Sequence, residues 1–149
     1  MKGSYGRFFA MIATSMAIML GSMYLNTYSA DHLFWSDTRG YMALIMGATM
    51  AIIMLSFMLH MYKGKTLNPA IFAGSALVFA ISLYLVRSQT TVQDVDWMAA
   101  MIPHHSIAIL TSERAEISDP RVKKLANDII VAQRKEIAQM KALIKDLED

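Results

Sequence analysis

Two adjacent histidines, His104 and His105, are the residues whose type and spacing point most directly to chemistry. At helical spacing Met98, Met101 and His105 fall on one side of a helix, and His104 projects beside them. Thioether and imidazole groups are ligands for soft metal ions such as Cu(I) and Ag(I). Because the chain has no cysteine, thiolate metal sites, disulfides and iron–sulfur clusters are excluded.

A carboxylate occurs on an otherwise apolar stripe near the C-terminus. The stripe recurs at helical spacing and consists of Leu125, Ile129, Ala132, Glu136, Met140, Leu143 and Leu147. We therefore expect Glu136 to face the core, where an unpaired carboxylate is costly, with Gln133 beside it.

Two helices folded back on each other would bring these groups together. Folding about the Ser118–Asp119 boundary places Met101 level with Glu136, His104 with Gln133, and Trp97 with Met140. The spacing leaves two interpretations open. The groups form a metal site, or a His105–Glu136 ion pair satisfies the carboxylate without a metal.

The helices that position these residues are predicted from their start signals. Thr91 with Asp94 resembles a capping box, and Asp119 followed by Pro120 is a strong second start. Pro103 is expected to interrupt the first helix, because proline has no backbone N–H to donate to the preceding turn. Residues 89–149 are thus predicted to form an antiparallel helical hairpin outside the cytoplasm.

The preceding residues 1–88 read as a membrane domain. Acidic residues, lysine and arginine are absent from Phe8–Ala30, Tyr41–Tyr62 and Thr66–Val86, and each run is long enough to cross a bilayer as a helix. We predict three transmembrane helices, at about 8–28, 41–62 and 67–86. A cleaved signal peptide is the alternative for the first run.

The basic residues of the loops predict the orientation. Lys2 and Arg7 precede the first run and Lys63 and Lys65 follow the second, whereas the opposite side carries only Arg39 and Arg87. The bias predicts a multi-pass protein of the cell (inner) membrane, with a cytoplasmic N-terminus and an extracytoplasmic, periplasmic C-terminal domain.

Methionine is abundant in the second membrane run, where it recurs every four residues at Met42, Met46, Met50, Met54 and Met58. This pattern is typical of helix packing, and a thioether ladder for a soft cation is the alternative. His32, in the predicted outer loop, is either a solvated loop residue or an accessory ligand.

Composition narrows the function. Of 149 residues 55% are hydrophobic and 17% charged, and the net charge of +2 forms no basic stripe, so nucleic-acid binding is not expected. Ser106 and Ser112 lack a base-and-orienter arrangement, and a glycine-rich phosphate loop is absent. The sequence therefore favours binding over catalysis.

A family resemblance extends over residues 91–147. The run Asp96-Trp97-Met98-Ala99-Ala100-Met101-Ile102-Pro103-His104-His105, followed by Gln133, Glu136-Ile137 and Met140, resembles the signature of the domain of unknown function 305 family. The resemblance implies a ferritin-like helical bundle, with copper binding and resistance outside the cytoplasm in some members. It also implies a set of candidate site residues: Met101, His104, His105, Gln133, Glu136 and Met140, to which the spacing adds Met98.

These observations predict an all-α membrane protein whose hairpins pair as a homodimer or higher homo-oligomer into a four-helix bundle. The expected function is binding or buffering of Cu(I) or Ag(I), without an organic cofactor, in contact with membrane lipid and a metal-delivery partner. Two alternatives are a structural module that oligomerises at the membrane and a ferritin-like, metal-dependent oxidoreductase.

Overall fold

Five α-helices and one short 3-10 helix make up the computed structural model, which describes residues 4–148. The α-helices are α1 (Tyr5–Ser22), α2 (Asp37–Phe57), α3 (Leu67–Ser88), α4 (Asp94–Arg114) and α5 (Pro120–Glu148), and the 3-10 helix spans Ala30–His32. The described residues contain no strand, which confirms the all-α prediction.

The chain divides into two compact units. The first, called the three-helix unit, holds the residues up to Ser22 together with Thr38–Thr91, and so contains α1, α2 and α3. The second, called the hairpin unit, holds Val92–Asp149 and also Met23–Asp37. The latter segment, here called the strap, lies between α1 and α2 in sequence, within the predicted membrane domain, yet folds with α4 and α5.

The three-helix unit has a small apolar core made of Phe8, Ile12, Ala51, Leu55, Tyr62 and Ile71. Met50, Met54 and Met58 of the methionine stripe pack against this core, as does Met16 of α1. The contacts favour the packing interpretation of the stripe, since flexible thioether side chains fill the gaps between helices.

Two helical segments among the described residues, Asp37–Met58 and Leu67–Ser88, are long and apolar enough to cross a membrane by length and composition. They correspond to the second and third predicted spans. The first predicted span, at 8–28, is not reproduced at that length, because α1 ends at Ser22 and the chain continues as turns. The polar residues Asn26 and Thr27 follow that end.

The ends of α4 and α5 have identifiable caps. The backbone N–H of Gln93 donates to Asp96 Oδ2 over 3.4 Å, so the cap of α4 uses Gln93 and Asp96 rather than the predicted Thr91 and Asp94. Asp119 accepts a 2.8 Å bond from the backbone N–H of Arg121 at the start of α5, as predicted. Arg121 also pairs with the Asp119 carboxylate, which lowers the pKa of that carboxyl group.

The core of the hairpin unit lies between α4 and α5. It consists of Met98, Ile102, Ile109, Ile137, Met140 and Ile144, with Phe34 of the strap packed against it. The predicted core stripe of α5 is confirmed at Met140 but is otherwise displaced by a rotation of the helix. Leu125, Leu143 and Leu147 are each more than half exposed, and Ile137 and Ile144 are buried in their place.

Candidate functional site

His105 and Glu136 are in direct contact across the hairpin. The Nε2 atom of His105 lies 2.9 Å from Glu136 Oε2, and the imidazole is mostly buried whereas the carboxylate is half-exposed. The His105–Glu136 contact considered as the alternative to a metal site is thus present. The predicted register is displaced, since His105 rather than Met101 lies beside Glu136. The cause is that α4 ends at Arg114, which leaves a non-helical connection before Pro120.

The ring of His105 is held by its other nitrogen. Nδ1 lies 2.9 Å from the backbone carbonyl of Met101, one turn earlier on α4. A carbonyl oxygen only accepts, so Nδ1 donates the proton of this hydrogen bond and Nε2 is the nitrogen that faces Glu136. The backbone of α4 therefore aims Nε2 at Glu136.

Gln133 is the third polar group of the site. Its Nε2 atom donates to Glu136 Oε2 over 3.3 Å, from one turn earlier on α5. The same carboxylate oxygen therefore meets both the imidazole of His105 and the amide of Gln133. The structure thus brings together three of the predicted site residues: His105, Gln133 and Glu136.

The methionines and the second histidine occupy other environments. Met98 and Met140 are buried in the hairpin core, and Met101 packs against it. His104 is exposed, and its ring centroid lies 6.4 Å from that of His105. Over residues 4–148, no group of three or more His, Asp or Glu side chains is placed to hold a metal ion.

Ser106, which sequence reasoning set aside, anchors the strap. Its side chain is fully buried on α4, and its Oγ accepts a 2.7 Å hydrogen bond from the backbone N–H of Tyr28. Oγ also lies 2.9 Å from Nδ1 of His32 and can donate its own proton to that nitrogen when the imidazole is neutral. Neither contact has a local signal in the sequence, because the partners are more than seventy positions apart.

His32 is consequently a partly buried contact of the hairpin and not a solvated loop residue. Burial lowers the pKa of His32, an effect that the nearby Asp31 carboxylate opposes and Lys141 reinforces. Asp31 itself accepts hydrogen bonds from Lys141 of α5 and from Ser29, and both hold the pKa of its carboxyl group well below the usual value.

Arg134 makes a further contact between the strap and the hairpin. Its guanidinium lies 5.6 Å from the centre of the Tyr28 ring and donates to Tyr28 Oη over 3.3 Å. It also pairs with Glu113 of α4. Strap, α4 and α5 are therefore joined through one side chain.

The fold and the site define an all-α protein with a long helical hairpin and a histidine–carboxylate contact across that hairpin. Residues 84–147 match the family described as domain of unknown function (DUF305). The chain is also similar to uncharacterized protein L153 of Acanthamoeba polyphaga mimivirus, with 32% identity over 140 residues, which cover 87% of this chain and 90% of that protein. The protein belongs to the DUF305 family. No solved structure matches the chain.

The likeness to the mimivirus protein extends well beyond the hairpin. An alignment covering 87% of this chain is longer than the match at 84–147, so it includes much of the sequence that forms the three-helix unit. The similarity therefore covers sequence from both units of this chain.

Proposed function

We propose that this protein is anchored in a membrane and that its hairpin unit binds Cu(I) or Ag(I) outside the cytoplasm. The observation that carries the proposal is the orientation of His105. One ring nitrogen is fixed by the Met101 carbonyl, and the other is directed at a half-exposed carboxylate. Metal-binding histidines are commonly oriented in this way through their second nitrogen.

The donor set suits a soft ion that accepts few ligands. The Nε2 of His105 is an intermediate donor, and Glu136 supplies a carboxylate oxygen beside it, to which the amide nitrogen of Gln133 donates. Met101 is joined to His105 through its backbone and packs against the core that holds Met98 and Met140, so thioethers are available nearby. Mg²⁺ and Ca²⁺ require oxygen-rich sites of higher ligand number.

Binding exchanges a proton for the metal. In the ion pair, Nε2 of His105 faces a carboxylate oxygen, which only accepts, so a proton lies between the two groups. A metal ion at Nε2 takes the place of that proton, and Glu136 is free to ligate or to accept from Gln133. We therefore expect affinity to fall as the solution becomes more acidic.

Membrane anchoring is supported by α2 and α3, which are long and apolar enough to span a bilayer. We assign α1 as a third, shorter span, and place the N-terminus in the cytoplasm from the positions of Lys2, Arg7, Lys63 and Lys65. This orientation places the hairpin unit on the outer side of the cell membrane. Lipid then surrounds the three-helix unit, and a metal-delivery protein would meet the hairpin unit.

A titration with Cu(I) tests the metal proposal. The full chain, in detergent and under reducing conditions, competes with a chromophoric Cu(I) chelator. We expect Glu136→Gln to weaken affinity by about 10–100-fold, and His105→Gln by at least as much. The matched control is His104→Gln, which changes an exposed neighbouring imidazole and should leave affinity nearly unchanged.

Met140→Leu separates ligation from packing, because it removes the sulfur at nearly constant volume. Reduced affinity with unaltered helicity would make Met140 a ligand. Equal Cu(I) affinity of the wild type and His105→Gln, or no binding by the wild type, would refute the metal proposal. The structural, oligomerising module would then be the better account of the hairpin.

A further inference from the structure

We propose that the exposed stripe of α5 is an antiparallel self-association surface, and that it joins the His105–Glu136 pairs of two copies of this chain. The joining of metal sites rests on the proposed function, whereas the pairing of the helices does not. The stripe is made of Val122, Leu125, Ile129, Ala132, Glu136, Leu143 and Leu147.

The stripe occupies one side of α5, adjacent to the buried seam of Ile137, Met140 and Ile144. At 100° per residue its members stay within about 40° of the direction of Glu136. Leu125, Leu143 and Leu147 are exposed by 58%, 52% and 57%, which is unusual for leucines in a row on a helix whose other apolar side is already covered by α4.

The order of side chains along the stripe suits a second copy in the opposite direction. Leu125 and Leu143 are equally far from residue 134, and so are Ala132 and Glu136. In an antiparallel pair with its two-fold axis at residue 134, Leu125 meets Leu143 of the second copy and Ala132 meets Glu136 of the second copy. Each of these contacts occurs twice. Such matching is what an isologous two-fold interface requires.

Charges beside the stripe are compatible with the same pairing. Lys124 and Asp146 lie on the same flank of α5 and at nearly equal distances from residue 134. Lys124, which pairs with Asp128 on its own helix, would therefore also approach Asp146 of the second copy, again twice by symmetry.

The two-fold axis falls next to the candidate metal site. Glu136 and Glu136 of the second copy are separated by about 6 Å along the helix axis, given a rise of about 1.5 Å per residue. The exposed half of each carboxylate faces the second copy, while the other half contacts its own His105. Two histidines and two carboxylates then meet at one place, which gives a fuller ligand set than one copy offers.

Single cysteines test the arrangement, because the chain contains none of its own. Full-length variants in lipid vesicles, without added metal, are treated with a short bifunctional thiol reagent. Ala132→Cys and Glu136→Cys, next to the axis, should each link to themselves. Leu125→Cys and Leu143→Cys should link only when the two variants are mixed, since each is about 27 Å from its own copy along the axis.

Val131→Cys is the matched control, because Val131 is 69% exposed on the same helix but about 140° away from Glu136. Val122→Cys mixed with Leu147→Cys repeats the test at the ends of the stripe, should the leucine variants fail to fold. Self-linking of Leu125→Cys, or stripe linking no greater than that of Val131→Cys, would overturn the proposal. In the second case the stripe would bind another partner. Linking without Cu(I) binding would leave the interface standing and remove the metal function.

Discussion

Ser106→Ala removes a side chain that holds the strap to α4 at two points, and we expect it to destabilise the hairpin unit by about 1–3 kcal/mol. The backbone N–H of Tyr28 loses its 2.7 Å acceptor, and Nδ1 of His32 loses its 2.9 Å partner. Each such hydrogen bond contributes about 0.5–1.5 kcal/mol net, and a donor left unpaired in a dry place adds to the loss. Alanine returns a few tenths of a kcal/mol through its better helix propensity.

Tryptophan fluorescence isolates this unit in the intact protein. The chain has two tryptophans, Trp35 and Trp97, and both belong to the hairpin unit. Thermal unfolding followed at these residues should show a midpoint lowered by about 4–8 °C for each kcal/mol lost, as expected for a unit of this size. The control is Ser112→Ala, a partly buried serine of α4 at the other side of the same helix. If both variants unfold at the same temperature, the strap contacts contribute nothing measurable and the reasoning fails.

Two further predictions concern the strap and the three-helix unit. Because folding lowers the pKa of His32 from 6.5, the unfolded chain binds a proton at this imidazole more readily than the folded chain does. The contribution of His32 to the free energy of unfolding is therefore complete above that pH, and it is lost as the pH falls through the lowered pKa of the folded state. The tryptophan-detected midpoint should therefore drop as the pH falls below about 6.5, and less so in His32→Gln. An identical drop in both proteins would exclude His32 as the cause. Gly47→Ala should leave the three-helix unit about 1–3 kcal/mol less stable than Gly40→Ala does, because the new Cβ would lie 2.2 Å from the sulfur of Met16 and force that side chain to move. The control is Gly40→Ala on the same helix, whose new Cβ meets no atom within 4 Å and which should be neutral or stabilising. Both variants are compared by the fraction of protein that survives heating and elutes as a single species. Equal survival of the two variants would contradict the packing of Met16 against Gly47.

The start of α5 and the existence of the hairpin could be predicted because their signals are local. Asp119 and Pro120 carry the capping geometry in their own side chains, and the structure places the helix start where they predict it. The same holds for the apolar segments of α2 and α3, whose length and composition are visible without tertiary information.

The side of α5 that faces α4 could not be predicted in the same way. Two neighbouring stripes on this helix are apolar, and periodicity alone does not say which of them the other helix covers. Choosing the stripe with Leu125 and Leu143 gave Glu136 an inward position, whereas the structure leaves it half-exposed. The register also depended on the connection after Arg114, which has no regular spacing to read.

The strap was beyond prediction for a different reason. Ser29, Asp31 and His32 have the composition of a solvated loop, and their partners Ser106 and Lys141 are distant in sequence. Contacts of this kind arise from chain topology, which single-residue patterns do not encode.

The strap has a consequence for the order in which the protein can fold during synthesis. It emerges from the ribosome before α2, α3 and the hairpin, yet its partners on α4 and α5 are made only after α2 and α3. The Asp31–Lys141 pair closes a separation of 110 residues. Until then the backbone of Tyr28 and the ring of His32 have no Ser106 to meet. A chain stopped after α3 would contain every residue of the strap and none of these contacts. Completion of the hairpin unit is therefore a late step of high contact order, slower than the pairing of α4 with α5 on its own.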